Sequence, residues 1–134
     1  MTTWFEESFS RLKGQKIINI QGLTKRSDEV VITFETGRMV LNHVQDCCEA
    51  VYLEDFEGDP TDLVGKVLVS AEETSEIEHS DDWLEKWTFY SIRTTGGDLW
   101  LRWAGRSNGY YSVAVDTHWQ PNKKPSRPEE ELMP

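Results

Sequence analysis

Cysteine is scarce in this sequence, and the two residues present, Cys47 and Cys48, are adjacent. A disulfide between neighbours closes no useful loop and needs an uncommon geometry, which excludes a disulfide-stapled scaffold. We therefore expect Cys47 and Cys48 to be free thiols in a reducing cytoplasm.

Basic residues are also few, with 14 Lys and Arg against 24 Asp and Glu and a formal net charge of −10. Nucleic acids and anionic membranes bind basic surfaces, so we expect no direct binding to either. Long apolar runs are missing too. No segment approaches the roughly 18 apolar residues that a membrane span needs. The first residues carry acids where a secretory signal carries Lys or Arg. The sequence therefore predicts a cytoplasmic protein.

Aromatic residues, by contrast, are plentiful: six Trp, four Tyr and five Phe in 134 residues. Each can bury roughly 150 to 250 Å², enough together for a compact β-rich core. We predict one globular domain over residues 1–119. Residues 120–134 are rich in Pro and charged side chains and are predicted to be a flexible tail.

The hydrophobic pattern predicts an α+β fold, mainly antiparallel β, with an amphipathic helix at the N-terminus. Thr3 and Glu6 form a capping-box pattern, after which Phe5, Phe9 and Leu12 recur at helical spacing. About seven short strands follow, and we expect their sheet to curl into a barrel or sandwich. The predicted segments are 16–21, 30–42 with a turn at Thr36-Gly37, 50–56, 67–71, 87–94, 99–104 and 110–116. The acidic run between Glu72 and Asp82 is predicted to be a loop.

A metal site is one hypothesis for the segment from His43 to Glu49. His43, Cys47 and Cys48 are the residue types that bind zinc, with Asp46 and Glu49 beside them. Structural zinc sites, however, use two separated ligand pairs, and adjacent cysteines on a strand point to opposite faces. The alternative is a small buried Cys beside a hydrogen-bonded structural histidine.

Catalysis finds little support in the same segment. A thiolate activated by His43 would be a nucleophile, but the many neighbouring carboxylates raise a thiol pKa rather than lower it. Without a credible nucleophile, base or cofactor motif, we predict a protein that is not an enzyme, has no catalytic residues and needs no cofactor.

The distribution of acidic residues is more informative. Twelve of the 24 acids lie between Glu49 and Asp82, against the single base Lys66. Such a surface favours fast, salt-sensitive capture of a basic protein surface. The alternative is that these charges only confer solubility. The residues predicted to bind the partner are Glu54, Asp55, Glu57, Asp59, Glu72, Glu73 and Glu76.

A second kind of surface is predicted near the end of the domain. Arginine, asparagine and tyrosine side chains are suited to a planar or anionic ligand, through stacking and charge-assisted hydrogen bonds. The alternative is a hairpin turn with core aromatics. The candidate ligand-binding residues are Arg102, Arg106, Asn108, Tyr110 and Tyr111.

Four motifs carry a resemblance to a known group of proteins. They are His43 to Glu49 with Val51; Gly58-Asp59 with Asp62-Leu63 and Gly65; Thr88-Phe89-Tyr90; and Arg102-Trp103 with Gly105 and Ser107 to Ser112. Over Gly14 to Asp116 the chain resembles an uncharacterised family of small phage and prophage proteins, which has no assigned activity.

The resemblance implies a phage accessory protein that acts in the host cytoplasm. Combined with the acidic residues, it leads us to expect a monomer or weak homodimer that blocks a basic host protein, such as a defence complex in the manner of an anti-CRISPR protein or a nucleic-acid-handling complex. The alternative is a binder of zinc or of a small ligand such as a nucleotide signal.

Overall fold

The computed structural model describes residues 2–122, which form two short helices and eight strands. In chain order they are α1 (Trp4–Ser10), β1 (Ile17–Gln21), β2 (Glu29–Phe34), β3 (Gly37–Asn42), β4 (Ala50–Glu57), α2 (Pro60–Leu63), β5 (Leu68–His79), β6 (Leu84–Thr94), β7 (Gly97–Ser107) and β8 (Asp116–Pro121). Two four-stranded antiparallel sheets have the orders β1-β2-β3-β8 and β4-β7-β6-β5. The predicted fold class is confirmed, and the sheets do not close into a barrel.

One hydrophobic cluster joins the two sheets. Ile32 and Leu41 of the first sheet and Leu53, Ile92 and Trp103 of the second are all buried in it. Alternate residues of these strands face the cluster, as the two-residue period of a strand requires. The aromatic and branched side chains that make the sequence β-rich therefore supply this core.

Helix α1 covers one side of the cluster and touches both sheets. Its capping box forms as predicted, with Thr3 Oγ1 accepting from the backbone N–H of Glu6 at 3.0 Å. The ring of Phe5 lies 4.3 Å from that of Tyr90 in β6, and the ring of Phe9 lies 6.0 Å from that of Phe34 in β2. The apolar face of α1 thus packs against both sheets.

The acidic run between residues 72 and 82 was predicted to be a loop, which is wrong for residues 72–79 and correct only for residues 80–82. Residues up to His79 belong to β5, which pairs with β6 along its length, from Leu68 opposite Thr94 to His79 opposite Leu84. Cross-strand pairing here overrides the low strand propensity of glutamate. Glutamates are tolerated in β5 because residues 74–79, its C-terminal half, are exposed.

The last strand was also misplaced by the sequence pattern. The sequence predicts a strand at residues 110–116, but β8 begins only at Asp116. Val113 is buried in the core without joining a sheet. The ladder with β3 therefore starts later than predicted, at Asp116 opposite Asn42.

The predicted tail at residues 120–134 falls largely outside the described residues, which end at Asn122. Gln120 and Pro121 belong to β8, where they pair with Arg38 and Gly37. Neither described helix has the length and apolar character needed to cross a membrane.

Candidate functional site

A buried ion pair lies in the loop between β3 and β4. His43 Nε2 is 2.6 Å from Glu49 Oε2, and His43 Nδ1 is 2.7 Å from the backbone oxygen of Ala114. Because a carbonyl and a carboxylate can only accept, both ring nitrogens donate and the imidazole is protonated. Both side chains are almost completely buried, so the two charges face each other away from water.

The loop backbone completes the coordination of Glu49. Its carboxylate accepts from the N–H of Asp46 at 2.8 Å and of Cys47 at 2.9 Å, while Gln45 Nε2 donates to the Glu49 carbonyl at 2.6 Å. The hydrogen bond from His43, opposed by burial and helped by the backbone donors, lowers the pKa of Glu49 to about 2. Burial lowers the pKa of His43, but the bonds to Glu49 and Ala114 outweigh it and raise that pKa above 6.5.

This arrangement differs from the predicted zinc site. Both nitrogens of His43 are hydrogen-bonded, which leaves no lone pair for a metal ion. Within residues 2–122, no group of three or more His, Cys, Asp or Glu side chains is placed to hold a metal. The ion pair instead ties the loop to the segment around Ala114.

Cys47 and Cys48 are joined by a disulfide, which corrects the prediction of two free thiols. The cysteines were expected on an extended strand, where neighbouring side chains point to opposite faces. The backbone instead bends at both residues, which brings the sulfur atoms to the same side. Both cysteines are exposed, and the Cys47 N–H is one of the donors to Glu49.

The stability of the domain should depend on pH through this pair. Since the folded pKa of Glu49 is depressed, its contribution is present above about pH 4.5 and is lost as the pH falls toward 2. Since the folded pKa of His43 is raised, its contribution is present below pH 6.5 and is lost as the pH rises through the folded pKa. We therefore expect the melting-temperature difference between the wild type and His43→Gln to be largest between about pH 4.5 and 6.5.

Melting curves of both proteins from acid to mildly alkaline pH check this expectation. His118→Gln is the matched control, because His118 is exposed and its Nε2 bonds to the neutral side chain of Asn42 at 3.0 Å. A difference for His43→Gln that stays constant across the range would contradict a charged pair.

The predicted partner-binding acids fall into two groups at opposite edges of the second sheet. Glu54, Asp55 and Glu57 lie on β4, with Asp59 just after it, whereas Glu72, Glu73 and Glu76 lie on β5. Strands β7 and β6 separate the two groups, a distance of about 15 Å. The acids therefore do not form one continuous patch.

The β4 group is partly neutralised by its own surroundings. Glu54 Oε1 is 2.9 Å from Arg102 Nε, and Asp55 lies 4.0 Å from the ammonium of Lys25. Asp59 caps α2 by accepting from the N–H and hydroxyl of Thr61. The backbone at Leu53 is also occupied, since it pairs with the loop residues Arg26 and Ser27.

The β5 group keeps more of its charge toward solvent. Glu72, Glu76 and Glu78 are exposed and form no ion pair within residues 2–122. Glu73 is different, because it is half-buried beside Tyr90. Burial, helped by the charge of Glu73, raises the pKa of the Tyr90 hydroxyl.

The outer edge of β5 presents backbone groups as well as charge. The N–H of Glu73 points away from β6, because it donates to Glu6 Oε2 of α1 at 2.9 Å. The strand alternation puts the N–H and C=O of Ser75 and Ile77 on that same edge. We find no partner for those groups among residues 2–122, so this part of the edge is open to another strand.

The five residues predicted to form a ligand pocket do not converge on one cavity. Arg106, Asn108 and Tyr111 line a cavity of about 280 Å³, and Arg102 lines another of about 460 Å³. Tyr110 is 82% exposed. The arginines are also paired with acids, Arg102 with Glu54 and Arg106 with Glu85, which weakens their attraction for an anionic ligand.

Comparison with known protein families assigns most of the chain to one family. The model of a family described as "Domain of unknown function (DUF7448)" matches residues 10–117, which is most of the chain. The chain belongs to the DUF7448 family. Neither the curated proteins nor the solved structures contain a match. The predicted membership of an uncharacterised family is thus confirmed, while phage origin stays a prediction.

The DUF7448 match leaves out most of α1 and of β8, and the sequence analysis missed a cleft that these two elements form. The cleft has a volume of about 600 Å³, and Trp4 and Trp119 line it. Both tryptophans lie outside the matched residues. The sequence offered one signal, at Trp4, which does not share the helical spacing of Phe5, Phe9 and Leu12.

Proposed function

We propose that this member of the DUF7448 family is a non-catalytic protein-binding domain that captures a basic, extended segment of a partner at the open edge of β5. One observation carries the proposal: most of the acidic run lies in the 12-residue edge strand β5 rather than in a loop. An edge strand offers backbone hydrogen bonds to an added strand, and side chains on alternate positions select which strand is added.

The chemistry of the edge defines the partner. Glu72, Glu76 and Glu78 repeat at every second or fourth residue and so project from one face of β5. Charges on an edge strand prevent pairing with a second copy of the same edge, because like charges would meet. A segment with Lys or Arg at alternate positions, by contrast, pairs with the backbone and neutralises the glutamates together.

The exposed Ile77 adds an apolar contact on the other face of the strand. It is 56% exposed, between the edge groups of Ser75 and the acidic turn at Asp81 and Asp82. A partner segment that alternates a basic with an apolar residue would satisfy both faces.

The sequence resemblance to phage and prophage proteins favours a host complex as the partner. Defence and nucleic-acid-handling proteins expose basic grooves and segments, because they bind phosphate backbones. Occupation of such a segment by β5 would block its use by the host, which is the inhibitory role that we propose for this chain.

The proposal predicts salt-sensitive binding that depends on β5. We expect the triple variant Glu72→Gln, Glu76→Gln, Glu78→Gln to bind a synthetic peptide of alternating Lys and Val at least about tenfold more weakly than the wild type. Raising the ionic strength from about 50 to 300 mM should weaken wild-type binding similarly, since exposed charges are screened. Calorimetric titration measures both effects.

Two further variants separate charge from strand addition. The control Glu54→Gln, Glu57→Gln, Asp59→Asn removes three acids from the β4 group and should leave peptide binding almost unchanged. Ile77→Pro keeps all the charges but removes one edge N–H, so it should weaken binding while β5 itself tolerates the change. The same variants, used to recover proteins from a bacterial lysate, extend the test to the natural partner. Peptide binding by the β5 triple variant that is as tight as that of the wild type, or wild-type binding that high salt does not weaken, would refute the proposal.

A further inference from the structure

We infer that the cleft between α1 and β8 is a binding site for a small planar anion, a flat aromatic group that carries a carboxylate or phosphate. This site is separate from the proposed protein-binding edge. The cleft volume of about 600 Å³ lies in the range of small-molecule sites, which is about 300 to 1,000 Å³.

The two tryptophans of the cleft are held in place by the fold. Trp4 Nε1 donates to the backbone oxygen of Thr117 at 3.2 Å, which fixes the indole of α1 against β8. The ring of Trp119 lies against Gly37, where an added Cβ would come within 2.7 Å of Trp119 Cζ2. Aromatic surfaces fixed before binding lose little conformational entropy when a flat ligand stacks on them.

The charge of the cleft is opposite to that of the whole protein. No Asp or Glu is among the lining residues, although the chain carries 24 of them and a net charge of −10. Arg11, at the C-cap of α1, lines the cleft and forms no ion pair within residues 2–122. An unpaired guanidinium is suited to a carboxylate or phosphate, because it can donate two parallel hydrogen bonds.

Neutral hydrogen-bonding side chains line the same cleft as Arg11. Gln15 Oε1 accepts from the N–H of Thr36 at 3.3 Å and from its hydroxyl at 3.0 Å. The amide oxygen is therefore occupied, whereas the NH₂ group has no partner within the described part of the chain and can donate to a ligand. His118 also lines the cleft, with Nε2 at 3.0 Å from Asn42 Oδ1. Aromatic surfaces and hydrogen-bond donors suited to an anion thus occur in one cavity.

Titration with matched probes tests the site. We expect 2-naphthoate to bind saturably at about 1 mM or below, and about tenfold more tightly than 2-naphthamide, which has the same plane without the charge. Cyclohexanecarboxylate, which has the charge without the plane, should bind as weakly as the amide. 2-Naphthyl phosphate keeps the naphthalene plane and replaces the carboxylate by a phosphate, so whichever of the two planar anions binds more tightly identifies the anionic group.

Variants locate the binding on the protein. Arg11→Gln should weaken naphthoate binding about tenfold and leave naphthamide binding unchanged, since only the charge contact is lost. Trp119→Leu should weaken both. The control Trp100→Leu removes an exposed indole from the second sheet and should change neither. In proton NMR spectra, the indole N–H signals of Trp4 and Trp119 should shift with ligand, and that of Trp100 should not.

The site is supported if either planar anion binds saturably and Arg11→Gln weakens that binding. Absence of binding by both planar anions, or equal affinity of wild type and Arg11→Gln for them, overturns it. Circular dichroism and melting curves of each variant establish that a loss of binding does not come from unfolding, and peptide binding at β5 should be unaffected throughout.

Discussion

Glu49→Gln is expected to lower the melting temperature of the domain by on the order of 10 °C between about pH 4.5 and 6.5. The carboxylate accepts from His43 and from the N–H groups of Asp46 and Cys47, and its side chain is fully buried. Glutamine has nearly the same shape but only one acceptor oxygen, and its NH₂ group would face donors. The substitution therefore leaves a buried imidazolium without a counter-ion.

The control for this prediction is the same substitution at an exposed pair. Glu54→Gln breaks the contact with Arg102, where the two side chains are 36% and 47% exposed. Exposed pairs contribute little, so its melting temperature should change by less than about 3 °C. Thermal melts followed by circular dichroism measure both variants. Equal, small shifts for the two would show that the loop at residues 43–49 is not held by its ion pair.

Phe5→Ala is expected to reduce the free energy of unfolding by about 3 to 5 kcal/mol. Phe5 is buried in the core cluster, with its ring 4.4 Å from that of Phe9 and 4.3 Å from that of Tyr90. Removing the ring leaves a cavity between α1 and β6 that the aromatic neighbours cannot fill without moving. The loss is a large part of the 5 to 15 kcal/mol that typically stabilises a domain.

Urea unfolding of Phe5→Ala measures this loss, and Trp4→Ala is its neighbour control. Trp4 is 63% exposed, and within residues 2–122 its side chain makes one hydrogen bond, to Thr117, so its truncation should cost less than about 1 kcal/mol. If Phe5→Ala is as stable as Trp4→Ala, α1 is not an integral part of the core. The family match begins at residue 10, so this result also tests whether the folded domain includes residues N-terminal to the match.

Local chemistry explains why the sequence predicted several elements correctly. The capping box of Thr3 and Glu6 and the turn at Thr36-Gly37 each depend on residues a few positions apart. Interactions over so short a span leave a readable pattern, because the partners are close in sequence as well as in space.

The errors have the opposite origin. Nothing local distinguishes the acidic run from a solvated loop, and it forms a strand because β6 offers a complete ladder from Leu68 to His79. The reverse occurs before β8, where Val113 packs in the core but the backbone has no strand partner. Strand formation is decided by pairing between distant segments, so composition predicts it poorly.

For the candidate sites, the sequence by itself determined the chemistry available: a surplus of acids, many aromatic residues, and one His close to Glu49 and the two cysteines. The tertiary structure decided how those groups are used. It buried Glu49 against His43, and it placed the glutamates of β5 on an open edge and those of β4 about 15 Å away. It also brought Trp4 and Trp119, from opposite ends of the described chain, into one cleft with Arg11. Charge and residue type belong to single positions, whereas burial, pairing and cavities exist only once distant parts of the chain meet.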